Sequence, residues 1–174
     1  MSIVELFGKD GLSKKEFKQL FEDKFEAIKL FIYYKCGDEA MASDVAQNTF
    51  MKVWENRKAI KKETVVSLLY KIANNQMISE FRRDKVMFQF EVKDTRTDMQ
   101  LSGEDEYMYA ETKQHYERTL AQMPEEIRVV FMMSRLEELK YREIAEHLQI
   151  SIKTVEKRMS KALVLLKHEL RSVV

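Results

Sequence analysis

The N-terminal part of the chain carries apolar residues at three- and four-residue steps, the spacing of an amphipathic α-helix. The first predicted helix begins at Ser13, whose side chain is spaced to form a capping box with Glu16. It ends at Gly37, since glycine readily takes the left-handed backbone that stops a helix. The apolar stripe of this helix consists of Phe17, Leu20, Phe21, Phe25, Ile28 and Ile32.

Two more helices follow in the N-terminal part. Asp38 is placed to cap the second, over 39–56, because an aspartate side chain accepts backbone N–H groups at a helix start. A basic loop, "RKAIKKE" at 57–63, leads into a third helix over 64–85. The residues expected in the core from the second helix are Val45, Phe50, Val53 and Trp54.

The C-terminal part begins with a predicted helix over 107–122. Pro124, followed by Glu125 and Glu126, predicts a new helix start. Proline suits the first helical turn, and acidic side chains complement the positive end of the helix dipole. Two short helices follow, separated near residue 150.

Residues 143–159, "EIAEHLQISIKTVEKRM", have the pattern of a helix-turn-helix. Ala145 is small enough for two helices to cross closely, and Ser151 is placed to cap the second helix. Gln149 stands where glycine is usual, so the turn requires a left-handed backbone at a modest energetic cost. The buried stripe of the second helix is expected to be Ile152, Val155, Met159, Ala162 and Leu166.

The opposite face of this second helix is basic. A lysine-rich face is often only a solvated helix exterior, but the small residue, turn and cap favour a DNA-reading helix. In a major groove, an arginine can reach base edges while lysines meet phosphates. The candidate residues for duplex DNA are Lys153, Thr154, Lys157, Arg158 and Lys161.

Composition and charge indicate an all-α protein with two small helical domains. Four glycines and one proline in 174 residues are too few for a sheet protein with many turns. Residues 91–126 hold 4 Lys/Arg against 10 Asp/Glu, whereas the flanking segments are mildly basic. We therefore predict domains at 1–90 and 107–174, joined by a flexible acidic linker at 91–106.

Enzymatic chemistry is not indicated by the sequence. Four scattered glycines cannot form a phosphate-binding loop, and neither the three histidines nor Cys36 have partners at metal-ligand spacing. We expect no catalytic residues, no metal, no cofactor and no small-molecule substrate. No apolar run reaches the roughly 18–20 residues of a membrane span, and no secretory signal is evident, which predicts a cytoplasmic protein.

Three segments together resemble bacterial RNA polymerase sigma factors of the extracytoplasmic-function (ECF) group. They are "ASDVAQNTFMKVWENR" at 42–57, "LLYKIANNQMISEFRRDK" at 68–85 and "MPEEIRVVFMMSRLEELKYREIAEHLQISIKTVEKRMSKAL" at 123–163. The resemblance runs from about residue 15 to 170 and includes the order of parts, region 2, linker and region 4. It implies a protein that binds core polymerase and directs promoter-specific initiation.

The resemblance also implies roles for particular residues. Region 2 of the family packs on the β′ clamp helices of polymerase, and the positions that match this motif are Asp44, Gln47, Lys52 and Trp54. Region 4 reads the −35 element and meets the β flap. The positions that match the −10 reader, which binds single-stranded DNA, are Arg57, Lys58, Lys61, Lys62, Asn74, Asn75, Arg82 and Arg83.

The resemblance implies two further properties, and the sequence departs from the family's usual residues at three positions. The acidic linker corresponds to a segment that threads the polymerase channels, where it mimics the charge of nucleic acid. An anti-sigma factor, often membrane-anchored in the family, is expected to mask the free protein. Asn48, Leu68 and Ser79 stand where the family often has glutamate, an aromatic residue and aspartate.

Two other functions remain open from the sequence. A dimeric helix-turn-helix regulator would use residues 1–90 for dimerisation and bind a palindromic operator. An α-helical adaptor would bind only proteins, so the basic residues of its last helix could be replaced without loss. The motif "DVAQNTFMKVW", followed by a basic loop and two arginines, disfavours both.

Overall fold

A computed structural model describes the backbone of residues 11–81 and 103–170, and the side chains of residues 11–79 and 113–168. Within these ranges the chain forms seven α-helices and no β-strand, which confirms the all-α prediction. A short 3₁₀ turn over Lys62–Thr64 precedes the third helix. The helices are α1 (Lys14–Cys36), α2 (Glu39–Asn56), α3 (Val65–Phe81), α4 (Gly103–Gln122), α5 (Glu125–Arg135), α6 (Tyr141–Leu148) and α7 (Ile152–Leu170).

The predicted helix starts are confirmed by their hydrogen bonds. The Ser13 hydroxyl accepts the Glu16 N–H at 3.2 Å, and the Glu16 carboxylate accepts the Ser13 N–H at 2.8 Å. Asp38 accepts the Met41 N–H at 2.9 Å, and Gly37, with φ of 72°, ends α1 in the left-handed conformation. These ends were predictable because each depends on residues within three positions in the chain.

The start of the fourth helix differs from the prediction. The helix expected to begin at residue 107 begins at Gly103, so the last four residues of the predicted linker are helical. The remainder of that linker, residues 91–102, lies outside the described residues, as do residues 82–85 of the predicted third helix.

Region 2 is the unit formed by α1, α2 and α3. Its core contains fully buried Ile28, Ile32, Val53, Leu68 and Leu69, which come from all three helices. Only the C-terminal end of the predicted α1 stripe is fully buried. Nearer the start of the helix, Phe21 keeps 39% of its surface exposed. The N-terminal turns of α1 therefore offer aromatic surface to solvent.

Gly11 and Leu12, which precede α1, contact the loop that follows α2. The Leu12 N–H donates to the Arg57 carbonyl at 2.6 Å, which brings the two backbones into contact. A side chain at Gly11 would place its Cβ 2.2 Å from the Lys58 carbonyl oxygen, so the close approach requires glycine.

Region 4 is the unit formed by α4 to α7. Its core includes Leu120, Met132, Met133, Ile144 and Val155, all fully buried. Pro124 precedes α5 as predicted, with Glu125 and Glu126 in the first turn. The helix-turn-helix of α6 and α7 is confirmed, since Ala145 and four of the five residues of the predicted α7 stripe are buried. The prediction that Ile152 is buried is wrong, because it is the first residue of α7 and keeps 46% of its surface exposed.

The turn of the helix-turn-helix is a Schellman motif closed by a glutamine. Gln149 has φ of 55° and ψ of 43°, the left-handed conformation that the sequence required. The Ile150 N–H donates to the Ala145 carbonyl at 3.0 Å, and the Gln149 N–H donates to the Glu146 carbonyl at 3.3 Å. The Ser151 hydroxyl then accepts the Thr154 N–H at 3.1 Å and caps α7.

The two regions pack against each other through a buried arginine on α5. Arg128 is 4% exposed, and its guanidinium donates to the Tyr34 carbonyl at 2.8 Å and the Lys35 carbonyl at 3.2 Å, both on α1. It also donates to carbonyls at the end of α4, namely Leu120 at 3.2 Å, Ala121 at 3.4 Å and Met123 at 2.8 Å. Burial lowers the pKa of Arg128 to about 10, so the group is charged at neutral pH.

Three further contacts join the regions. Lys35 on α1 forms an ion pair with Glu125 at the start of α5. The Ser67 hydroxyl donates to the Glu146 carbonyl at 3.3 Å. The Tyr70 ring stacks on the His147 ring with centroids 4.7 Å apart. Region 4 therefore covers the C-terminal end of α1 and one side of α3.

Several buried polar atoms near this contact have no hydrogen-bond partner among the described residues. They are the Tyr34 hydroxyl, one carboxylate oxygen of Glu137 and Nδ1 of His147. Burial raises the pKa of Glu137 to about 7 and lowers the pKa of His147. Both shifts favour the neutral form, because charge is costly away from water.

We expect Gln149→Gly to stabilise the protein by about 1 kcal/mol, since glycine removes the steric cost of the left-handed backbone. Urea unfolding followed by circular dichroism measures the change. Gln149→Ala is the matched control, because it also removes the side chain but keeps the Cβ, and should give no gain. A glycine variant no more stable than the alanine variant would contradict the prediction.

We expect Glu137 to make the free energy of unfolding depend on pH. The folded state binds its proton more tightly than an exposed glutamate of pKa 4.5, so its stabilising effect is complete below pH 4.5. That effect is lost as the pH rises to about 7. The free energy of unfolding of the native protein, minus that of Glu137→Gln, should therefore fall across this window.

Urea unfolding at a series of pH values gives this difference, and contributions common to both proteins, such as that of His147, cancel. Glu138→Gln is the matched control, because it makes the same substitution at an exposed neighbouring position. A difference that stays constant from pH 4.5 to 7 would show that Glu137 is not desolvated in solution.

Candidate functional site

The basic face of α7 is held outward by the helix-turn-helix. Val155 and Met159 on the opposite face are 0% and 2% exposed, which fixes the rotation of α7 about its axis. Lys153, Lys157 and Lys161 are exposed and follow one another at four-residue steps. The three ammonium groups therefore form a single stripe along the helix, as the sequence predicted.

Thr154 and Arg158 lie beside this lysine stripe, and both already have protein partners. The Thr154 hydroxyl lies 2.8 Å from the Ser151 hydroxyl, within the cap of α7. Arg158 forms an ion pair with Glu126 at the start of α5, and its side chain is 21% exposed. Of the five residues predicted to meet duplex DNA, three are exposed cations and two also support the fold.

Helix α2 presents the predicted polymerase-binding residues on its outer side. Asp44, Gln47 and Met51 are exposed at three- and four-residue steps. Lys52 and Trp54 lie at the two edges of this surface, because Lys52 lines the groove between α2 and α3, whereas Trp54 lines the groove between α1 and α2. The four predicted residues therefore share one broad face.

The prediction that Trp54 is a core residue is wrong. Its side chain is 36% exposed, although Val45, Phe50 and Val53 are buried as expected. The Trp54 ring packs against Phe17 with centroids 4.9 Å apart, and the Arg57 guanidinium lies 3.7 Å from its centre. The helix period places Trp54 beside the core, but its contacts with Phe17 and Arg57 leave about a third of its surface in solvent.

The α1–α2 groove is an apolar surface that the sequence analysis missed in part. Its volume is about 340 Å³, and it includes the exposed side chains of Phe21 and Met51. The signal that could have found it is the density of aromatic residues in α1, which exceeds what one buried stripe needs. The residues that line the groove are Phe17, Phe21, Gln47, Phe50, Met51, Trp54 and Glu55.

The loop between α2 and α3 carries four predicted DNA-binding cations, two of which have side-chain roles in the fold. The Arg57 guanidinium donates to the Trp54 carbonyl at 2.8 Å, while it stacks on the indole. The Lys62 ammonium lies 2.8 Å from Glu16, and this hydrogen bond, with those of Ser13, lowers the pKa of Glu16 to about 2. Lys58 is exposed, and Lys61 is half-buried.

The two asparagines predicted to read the −10 strand lie on different sides of α3. Asn74 lines the interregion cleft, a cavity of about 370 Å³ between α3 and region 4. Asn75 lines the α2–α3 groove, which has a volume of about 550 Å³. Consecutive helical residues diverge by about 100°, so one base cannot meet both amides in the same groove. Arg82 and Arg83 lie outside the described residues.

The α2–α3 groove collects more amide and hydroxyl groups than the sequence analysis assigned to DNA. Asn48, Gln76 and Ser79 line it together with Asn75. The Ser79 hydroxyl donates to the Asn75 carbonyl at 3.0 Å, and Nε2 of Gln76 is buried without a hydrogen-bond partner among the described residues. Leu68 is fully buried in the core and does not line this groove.

In the part of the chain that the structure describes, no helix has the length and apolar character needed to cross a membrane. Across the same residues, no group of three or more histidine, cysteine, aspartate or glutamate side chains is placed to hold a metal ion.

Family models match both regions of the chain. The model for sigma-70 region 2 matches residues 21–86, and the model for sigma-70 region 4 matches residues 113–166. The two matches therefore occur in the order that the sequence predicted, and together they span most of the described helices.

Relatives and solved structures agree with these matches. The chain is 26% identical to the ECF RNA polymerase sigma factor SigW of Bacillus subtilis, over 92% of this chain and 94% of that protein. It is 30% identical to RNA polymerase sigma factor SigV of the same organism, over 80% of this chain and 81% of that protein.

The fold is similar to that of two proteins of known structure. CnrH, in complex with the cytosolic domain of CnrY, matches with a TM-score of 0.62 and 20% identity, over 92% of this chain and 90% of that one. RpoE of Bartonella quintana, in complex with the anti-sigma factor NepR, matches with a TM-score of 0.63 and 19% identity, over 90% and 98%.

The exposed basic face of α7 and the region 2 and region 4 matches in sequence order agree with one another. The curated relatives, which the chain matches over most of its length, point to the same family. The chain belongs to the sigma-70 family, in its ECF group, and is a sigma factor that directs promoter-specific transcription initiation by RNA polymerase.

Proposed function

We propose that α7 reads the −35 duplex, that α3 and the loop before it capture the −10 strand, and that the outer face of α2 binds core polymerase. The observation that carries the proposal is the exposed stripe of Lys153, Lys157 and Lys161 on a helix whose other face is buried. A helix with one fixed face and one basic face suits the major groove, which is wide enough for an α-helix.

The residues of α7 divide into those that position the helix and those that read bases. Lysine ammonium groups on the stripe meet phosphates, and the start of α7 adds the positive end of its dipole. Arg158 exchanges its carboxylate partner for a base edge, since a guanidinium pairs with guanine through two hydrogen bonds. Thr154 adds a polar contact to the DNA from the first turn of α7, where its hydroxyl lies next to the Ser151 hydroxyl of the cap.

The −10 strand is proposed to cross α3 instead of following one face of it. Asn74 and Asn75 offer their amides to two different grooves, so the strand must pass over the helix to use both. Lys58 and Lys61 supply positive charge at the start of this path, and Arg82 and Arg83 supply it at the end. Single-stranded DNA recognition combines such charge with pockets for unstacked bases.

The polymerase-binding surface is proposed to combine polar and apolar residues of α2 and α1. Asp44, Gln47 and Lys52 provide the polar part, and Trp54 with Met51 provides the apolar part. Exposed aromatic and methionine side chains are enriched at protein interfaces because they bury large apolar areas. The β′ clamp helices are the proposed partner here, and the β flap is the proposed partner of region 4.

An anti-sigma factor is proposed as a further partner of the free protein. CnrH and RpoE, which share this fold, occur in complexes with the cytosolic domain of CnrY and with the anti-sigma factor NepR. By analogy, an anti-sigma factor would mask this chain in the cytoplasm until a signal releases it. We further propose that the chain has no catalytic activity of its own, as sigma factors are not enzymes.

The dimeric regulator is the second candidate function, and transcription separates it from the proposed one. Run-off transcription with bacterial core polymerase on a library of random upstream sequences gives the test. Transcripts that share a two-part upstream motif, and appear only when the protein is added, support the sigma mechanism. Binding of duplex DNA as a dimer without polymerase, and no transcripts, would support the regulator instead.

We expect Lys157→Ala to weaken binding of the holoenzyme to the promoter most strongly at low salt, because one phosphate contact is lost. The slope of log affinity against log salt concentration should decrease in magnitude by about 1. Holoenzyme binding to a promoter fragment, measured by fluorescence anisotropy at several salt concentrations, gives the slope. Lys167→Ala removes an exposed lysine near the end of α7 and is the control. Equal slopes for the two variants would contradict the DNA contact.

We expect Met51→Glu to weaken binding to core polymerase by about tenfold or more, since it places a charge in the apolar part of the interface. Met51 is 59% exposed, so the folded protein tolerates the change. Competition against a labelled native protein for core polymerase measures the affinity. Ile78→Glu places the same charge on a residue of α3 that is 42% exposed and lies outside the proposed polymerase surfaces, so it should have no such effect. A native-like affinity for Met51→Glu would exclude this surface.

A further inference from the structure

The contact between the regions depends on an arginine that satisfies two helix ends at once. An α-helix leaves its last four carbonyl groups without partners inside the helix. Tyr34 and Lys35 hold such carbonyls at the end of α1, and Leu120 and Ala121 hold them at the end of α4. Arg128 donates to all four from a side chain that is 4% exposed.

We propose that Arg128 acts as a latch that holds region 4 on region 2 in the free sigma factor, and that the latched state covers one side of α3. The second half of this proposal rests on the proposed role of α3 in capturing the −10 strand. The first half concerns only the arrangement of the two regions and can be tested without DNA.

The guanidinium is suited to this position for two reasons. Its planar group carries five N–H donors, so it can serve carbonyls from two helices in different directions. Its positive charge also lies at the C-terminal ends of α1 and α4, where the helix dipoles are negative. A lysine would keep the charge but lose the fixed fork of donors, and an apolar residue would leave buried carbonyls unpaired.

Weaker contacts on both sides of Arg128 set the orientation of region 4. Lys35, only 10% exposed, pairs with Glu125, which lies three residues before Arg128 on α5. On the other side, α6 lies against α3 through the hydrogen bond of Ser67 to the Glu146 carbonyl and the stacking of Tyr70 on His147. These contacts form one continuous surface from the end of α1 to the middle of α3.

This arrangement limits access to α3. Asn74 lies one helical turn beyond Tyr70 and is half-buried on the wall of the interregion cleft, with Phe31 and Val129 nearby. A DNA strand needs room for its backbone as well as for the base that it presents. A cleft of about 370 Å³ closed on one side by α6 does not supply that room. Opening the latch exposes this side of α3.

The test is a distance measurement on the full-length protein, with nitroxide labels at Lys15→Cys on α1 and Lys161→Cys on α7, both exposed positions. Cys36 is 1% exposed, and protein without the introduced cysteines shows whether it takes up label. Double electron–electron resonance then reports the separation of the regions. We expect one narrow distance distribution in the otherwise native protein.

Two routes open the latch in this experiment. Arg128→Lys keeps the charge and removes the fork, and we expect a longer, broader distribution. Because Arg128 also serves α4, circular dichroism must show that region 4 remains folded. Lys35→Glu opens the contact by charge repulsion without touching region 4, and adding Glu125→Lys should restore the narrow distribution. Lys18→Glu, a charge change on the exposed part of α1, is the control and should leave the distances unchanged.

A second readout tests whether the latch covers α3. We expect Lys35→Glu to bind a fluorescent single-stranded −10 oligonucleotide at least about 5-fold more tightly than the native protein, because the competent state is more populated. A broad distribution in the native protein, or unchanged distances in both opening variants, would overturn the latch. Increased distances without tighter binding would contradict only the proposal that region 4 covers α3. The distance result does not depend on the outcome of the transcription assay.

Discussion

The need to satisfy buried helix ends governs how this sigma factor is assembled. Helices α1 and α4 both end beside Arg128, where several of their last carbonyl groups are buried from water. One guanidinium on α5 supplies the missing donors for both helices, and it does so from a site with almost no solvent exposure. The position of region 4 on region 2 follows from this shared requirement, because the donors must face both helix ends at the same time.

The functional surfaces are consequences of which helix faces the cores use. Burial of Val155 and Met159 leaves the lysine stripe of α7 in solvent, and burial of Val45 and Val53 leaves the broad outer face of α2. The same contact that joins the regions uses one side of α3. Asn74 lines the interregion cleft on that side and Asn75 lines the α2–α3 groove, so the two amides serve different surfaces.

Local signals made much of the fold predictable from the sequence. The caps at Ser13 and Asp38, the start at Pro124 and the turn from Ala145 to Ser151 each depend on residues a few positions apart. Burial at the edge of a helix was less predictable, because the exposure of Trp54 depends on packing against Phe17 of α1, which lies far away in the chain. Arg128 could not be recognised, since its partners are backbone carbonyls, which have no sequence signature, and the α1 pair is more than 90 positions away.

The ion pair between Arg158 and Glu126 affects how many condensed cations the DNA releases when the protein binds. An arginine that arrives at DNA without a partner neutralises a phosphate and displaces a condensed cation, which ties its binding to salt. In the unbound protein, the charge of Arg158 is already balanced by the Glu126 carboxylate of the same region. If it turns to a base edge, it trades one partner for another and displaces little of the cation atmosphere. Sensitivity to ionic strength would then come from the lysines, and sequence preference from the arginine, which separates the strength of attraction from its selectivity.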